Sequence, residues 1–208
     1  MEHTERVRIT PPSPRGDLSP FLSRQAADLH VQLICGRLAA ELNILLDGFP
    51  ALQLPDAEAI VVRVGLLPRL LREEVGFAAG GIVCHSYFFR YLAQNEGQGT
   101  PEESSASAFR SAFGSTDSFF YIFREEAQRM QSGGFLWLCT SRSSRGKILR
   151  LFPTRGYDLP PASLAPVLAL DLWEHAYLNT YGTDRRSYAD AFLRQLDWEA
   201  VGKRLVEQ

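Results

Sequence analysis

The spacing of apolar residues changes from a helical to a strand period at Gly133-Gly134, and that change limits the possible folds more than any other feature. Before it, apolar residues recur at three- and four-residue steps, as in helices that bury one face. From about Ser23 to Asp47 the stripe is Ala26, Leu29, His30, Leu33, Ile34, Leu38, Leu42 and Leu45, closed by Gly48 and Pro50. Asp56 to Val64 is a short ambiguous stretch, and a second long helix is expected over Leu67 to Gln94. Gly80-Gly81 falls in its middle. Each glycine there costs about 1 kcal/mol relative to alanine, so the pair marks a bend or the close approach of another element. Asn95 to Ser107 is polar and reads as a linker, with Thr100-Pro101-Glu102-Glu103 starting the next helix. Helices over about 101 to 113 and 116 to 131 follow, parted by Gly114.

Beyond Gly133-Gly134, Phe135 to Thr140 and Ile148 to Phe152 read as strands joined by the turn-rich Arg142 to Lys147. A third strand spans 166 to 171, and Tyr188 to Val206 closes the chain as an amphipathic helix. The fold class is α+β: an N-terminal antiparallel helical hairpin followed by a C-terminal α/β domain with a three-stranded antiparallel sheet flanked by helices. The expected divisions are an extended, proline-rich lead-in at 1–20, a helical-hairpin domain at 21–98 and an α+β domain at 99–208.

Composition narrows the function. With 208 residues, 45% hydrophobic and 11% aromatic, the chain can fill a large core. A net charge of −2, from 22 basic and 24 acidic residues, leaves no broad footprint for nucleic acid or an acidic membrane. No run approaches 18 apolar residues, and Met1 to Arg6 lacks the layout of a signal peptide, so the expected location is the cytoplasm. Cys35, Cys84 and Cys139 are odd in number and scattered among apolar residues, which suits buried thiols rather than a disulfide framework.

The chemistry-bearing residues are few. Setting aside His3 in the lead-in leaves His30 and His85, each on the inward stripe of a helix, and His175. Two antiparallel helices would bring the first two rings together. At the end of the third strand, Asp171 precedes His175 by four residues. A hard carboxylate oxygen with neutral imidazole suits Fe, Mn or Zn better than Mg or Ca. Each residue also has a purely structural reading: Asp171 as a helix cap, His30 or His175 as a packed core imidazole.

The pattern around them resembles the iron/manganese superoxide dismutases. Asp171-Leu172-Trp173-Glu174-His175-Ala176-Tyr177 is similar to that family's D-x-W-E-H-A-Y signature. Ala79 to Ser86 is similar to its second-helix segment, Leu29-His30 with Glu41-Leu42-Asn43 to its first, and Gly133 to Leu138 to its first strand. Arg185, Tyr188 and Trp198 fall at the expected distances beyond the signature, and the resemblance runs from about 20 to 205.

It implies a superoxide dismutase that disproportionates superoxide to dioxygen and hydrogen peroxide at one Fe or Mn ion per subunit. His30, His85, Asp171 and His175 would be the ligands, with a solvent molecule as the fifth. Trp173, Phe89, Phe135 and Trp137 would wall the pocket, and Glu174 would reach across a twofold axis, implying a homodimer. Where this chain lacks the polar groups usual around such a site, Tyr157 or Tyr177 is the expected source of a substitute hydroxyl. The departures are polar groups lost around the site: Ile34 and Leu38 stand where a histidine and a tyrosine are usual. Gly81 and Arg155-Gly156-Tyr157 stand where a glutamine would lie, and Cys84 replaces an asparagine. The alternative they raise is a protein of the same fold that binds metal with weak or different redox activity, or has a structural or interaction role.

Overall fold

The first long helix runs without interruption from Arg24 to Gly48 but changes its winding around His30. Residues 8–49, 54–94, 100–143 and 146–207 are described by the structure, a computed structural model. Helix α1 (Arg24–Asp28) starts at Ser23, whose hydroxyl accepts the Ala26 N–H. A π-helical turn, Leu29–Cys35, follows, and α2 (Gly36–Gly48) continues the run. The regular α-helix expected over Ser23 to Asp47 is therefore wider at Leu29–Cys35. Such turns concentrate at functional sites, and the buried residues of this one are His30 and Cys35. By length and composition alone this run is the one described helix able to cross a membrane. It carries the fully buried His30 and an Arg37–Glu41 pair at 2.7 Å, and its inner face belongs to the protein core.

The ambiguous stretch is helix α3 (Ala57–Arg63), capped by Asp56 Oδ1 accepting the Ala59 N–H at 2.8 Å. Helix α4 (Arg69–Phe89) then returns alongside α2: Leu38 meets Gly81 and His30 meets His85, so the two run antiparallel. The glycine pair in α4 marks close approach, not a bend. A Cβ on Gly80 would lie 2.6 Å from the Tyr157 carbonyl oxygen, and one on Gly81 would lie 2.7 Å from Leu38 Cδ1. The expected lead-in also joins this layer. Ile9 and Leu18 are buried, and the Asn43 amide holds both backbone groups of Ile9 at 2.9 Å. Residues 1–7 and 95–99, parts of the expected lead-in and linker, lie outside the described residues, as do 144–145 of the hairpin turn. From Glu103 onward the expected linker is helix.

Helices α5 (Glu103–Phe113) and α6 (Thr116–Arg129) pack through Phe109 stacked on Phe119, with centroids 4.2 Å apart. Strands β1 (Gly134–Ser143), β2 (Gly146–Arg155) and β3 (Ala165–Asp171) form one antiparallel sheet in the order β2-β1-β3. The register of β1 on β3 slips after Leu138, where Cys139 faces Pro166. Proline has no N–H for the ladder and is tolerated at such an irregular edge. Past the slip the pairing sets Asp171 opposite Phe135, and directly opposed residues project to the same face.

The C-terminal region holds α7 (Glu174–Tyr181), α8 (Arg185–Gln195) and α9 (Trp198–Glu207). The single helix expected over Tyr188 to Val206 is broken at Leu196-Asp197. There the backbone bonds to the end of the hairpin, Ala93 N to Gln195 O at 2.9 Å and Asp197 N to Tyr91 O at 2.8 Å.

Candidate metal centre

Asp171 ends β3, and its two carboxylate oxygens do different work. Oδ1 accepts the Trp173 N–H at 2.8 Å, while Leu172 N–H donates to Gly134 O at 2.8 Å, so the chain leaves the sheet in a fixed direction. The N-cap position of α7 is Trp173, without a side-chain capping bond, so Asp171 is not the helix cap. Oδ2 is left facing three imidazoles: His30 Nε2 at 3.1 Å, His175 Nε2 at 3.2 Å and His85 Nε2 at 3.4 Å. His30 comes from the π turn, His85 from α4 and His175 from the first turn of α7. The side chains of Asp171, His30 and His85 are inaccessible to solvent, and that of His175 is 16% exposed.

These four donor atoms lie within 4.8 Å of one another. Although close to Oδ2, neither His30 Nε2 nor His85 Nε2 makes a hydrogen bond. Buried polar atoms are rarely left so, and one carboxylate oxygen has too few lone pairs for three imidazole donors. A cation among them resolves the arrangement. First-row ions hold nitrogen and oxygen donors at roughly 2.0–2.2 Å, and donors at right or tetrahedral angles then lie about 3.0–3.5 Å apart. His85 is already oriented for this role: Nδ1 sits 2.6 Å from the Gly81 carbonyl oxygen, which can only accept. The proton is thereby fixed on Nδ1 and the Nε2 lone pair faces the cluster.

The electrostatics agree. Burial drives His30 down to about 4 despite Asp171 alongside, and the other two histidines add to the effect, so the ring is neutral at physiological pH. For Asp171, burial alone would raise the pKa, but the charge of His175 and the three imidazoles hold it well below the carboxylate range. His175 is opposite in sign: burial disfavours its charge, yet Asp171 outweighs that and lifts its pKa above 6.5. Metal ligation requires neutral imidazole, so the His175 proton is the last obstacle as pH rises. Metal affinity of the stripped protein is therefore expected to increase as pH rises through 6.5 and beyond. Competition titrations at stepped pH check this, and equal affinities at about pH 6 and about pH 8 would contradict it.

Aromatic rings wall the site. Phe88 stacks on His30 at 5.3 Å, Phe89 meets it edge-on at 5.2 Å, Phe135 meets His85 edge-on at 5.5 Å, and Trp173 stacks on His175 at 6.2 Å. Trp137 lies one layer back, 6.0 Å from Phe135, its Nε1–H donating to Thr154 Oγ1 at 2.9 Å. Glu174 is exposed, 3.7 Å from Arg185. The Tyr177 hydroxyl accepts from Arg185 Nε at 2.9 Å, turned to that cation. One contributor was not singled out from sequence, the Gly81 carbonyl, although it had a signal, because Gly81 precedes His85 by one helical turn.

Three imidazoles and one carboxylate, gathered where a helical hairpin packs on a three-stranded sheet, define a mononuclear metalloprotein of α+β fold. A profile of the C-terminal domain of iron/manganese superoxide dismutases matches residues 101–204. A protein of Listeria innocua named superoxide dismutase [Mn] is 31% identical over 188 residues, 90% of this chain and 91% of its own length. One of Methylomonas sp. (strain J), named superoxide dismutase [Mn/Fe], is 30% identical over 91% of this chain and 92% of its own. A third, from Leptolyngbya boryana and named superoxide dismutase [Mn] 1, is 28% identical over 91% and 76%. The chain belongs to the iron/manganese superoxide dismutase family. Its histidine and aspartate cluster fits one Fe or Mn ion per subunit.

Proposed function

We propose that this chain is a superoxide dismutase whose single Fe or Mn ion is held by His30, His85, Asp171 and His175. The observation that carries the reading is the convergence of three Nε2 atoms and Asp171 Oδ2 within 4.8 Å. The names of the relatives supply the reaction: two superoxide ions and two protons give dioxygen and hydrogen peroxide. When bound, the ion supplies the one-electron couple for both halves of that exchange. The chain does the rest. Asp171 contributes the anionic donor, the Gly81 carbonyl fixes the tautomer of His85, and the rings of Phe88, Phe89, Phe135 and Trp173 pack against histidines of which only His175 reaches solvent. The exposed Glu174 carries the resemblance to a family in which this carboxylate reaches a second subunit, and on that resemblance the chain forms a homodimer.

The test is metal analysis of protein purified from its native host, paired with dismutase assays on Fe- and Mn-reconstituted samples. Stoichiometric Fe or Mn and rapid superoxide consumption are expected. His85→Ala is expected to lose the metal; full metal content in that variant would refute the four-ligand reading. A second reading, metal binding with weak or different redox activity, is favoured by the apolar packing of Leu38 against Gly81. Stoichiometric metal without superoxide consumption would support it instead.

A further inference from the structure

We propose that Tyr157 is a positioning residue of this centre, its phenol donating a hydrogen bond into the space beside His85 and Trp173 where a small anion would bind; this rests on the metal-site reading above. The tyrosine is delivered by the turn after β2. Gly156 takes a left-handed conformation, with φ of +55°, its N–H bonds to Gly133 O at 3.1 Å, and Asp158 N–H bonds to Arg155 O at 3.0 Å. On the other side, helix α4 makes room for it: side chains at Gly80 or Gly81 would strike its carbonyl oxygen or its ring, at 2.6 and 3.1 Å. The Cys84 thiol donates to the same carbonyl at 3.7 Å. The loop is thus held from two sides, and it brings the Tyr157 ring against His85 and Trp173.

The ring of Tyr157 is 5.5 Å from that of His85 and 5.4 Å from that of Trp173, which itself stacks on His175. Phe77 and Phe135 complete its surroundings, at 4.8 and 6.2 Å. Other phenols nearby are committed or remote. Tyr177 accepts from Arg185, and Tyr181 donates to the Phe21 carbonyl at 2.9 Å. Tyr188 packs on Phe21, Tyr177 and Tyr181 and touches no ring of the cluster. Tyr157 alone among them contacts both a candidate ligand and the ring behind another. A phenol is protonated at physiological pH, so it can donate.

Packing and donation make opposite predictions for two variants. Tyr157→Phe keeps the ring and removes the donor; Tyr157→Gln keeps a donor and loses the ring. The readout is azide affinity of the metal-loaded protein, followed by the visible absorption spectrum at matched Fe or Mn content. Tyr157→Phe is expected to weaken azide binding about tenfold or more and to shift the spectrum, while Tyr157→Gln retains more of the affinity. Wild-type azide binding and an unchanged spectrum in Tyr157→Phe, or a ranking of Phe above Gln, would overturn the proposal. Metal content in His85→Ala tests the ligand set, whereas azide binding at full metal content tests the phenol, so either reading can fail without the other.

Discussion

Asp171→Asn is expected to yield protein with Fe and Mn near background and superoxide turnover reduced by at least the ~100-fold that loss of an outer partner can cost. The amide matches the carboxylate in shape and keeps an oxygen for the Trp173 N–H, so the turn into α7 is preserved. What disappears is the negative charge facing His30, His85 and His175 at 3.1 to 3.4 Å. Without it the ion loses its hard anionic donor, and an amide NH₂ can take the place of the donor oxygen. In the stripped protein the pKa of His175 should fall as well, because Asp171 is what raises it. Metal content, a far-ultraviolet spectrum confirming the fold, and an imidazole titration followed by NMR check the three parts. Stoichiometric metal in a folded Asp171→Asn protein would rule out the carboxylate as a ligand.

Much of this arrangement is legible from residue order because the relevant signals are local. The switch of period at Gly133-Gly134 separates helices from strands, as the structure has them, and Asp171 and His175 stand one helical turn apart in number. His30 and His85 lie on inward stripes, and helix pairing alone brings their rings to 4.9 Å. What local pattern does not carry is winding and long-range bonding. The π turn at Leu29–Cys35 has the same three- and four-residue apolar steps as an α-helix, so its wider winding leaves no mark. The break at Leu196-Asp197 is made by backbone bonds from Tyr91 and Ala93, about a hundred residues away, while the apolar set of the expected helix continues through it. Trp137 shows the limit for side chains. Its place two residues beyond Phe135 suggests a wall residue, but the bond to Thr154 holds it one layer behind.

Gly134 has an additional role that composition hides, and Gly134→Ala is expected to lower stability and metal content together. As a stop for the preceding helix, Gly133-Gly134 would tolerate alanine at small cost. The structure gives Gly134 another reason to be glycine. A Cβ there would run into the Thr154 carbonyl oxygen and lie 3.1 Å from Arg155 Cα, both backbone atoms of the paired strand that cannot rotate away. Alanine in a strand gains roughly 0.5–1 kcal/mol over glycine from chain entropy. Overpacking against a fixed neighbour costs typically 1–3 kcal/mol, and a collision with backbone belongs at the upper end, so the clash wins by about 2 kcal/mol. For a chain of this size that lowers Tm by about 4–8 °C. The loss should not stay local, because Gly134 O accepts the Leu172 N–H and its neighbour Gly133 O accepts the Gly156 N–H. Displacing β1 from β2 therefore moves Asp171 on one side and the Tyr157 turn on the other. Gly48→Ala, where a Cβ meets nothing within 4 Å, is the control and should leave both readouts near wild type. If Gly134→Ala melted with the control and kept its metal, the close strand approach would not be what positions Asp171.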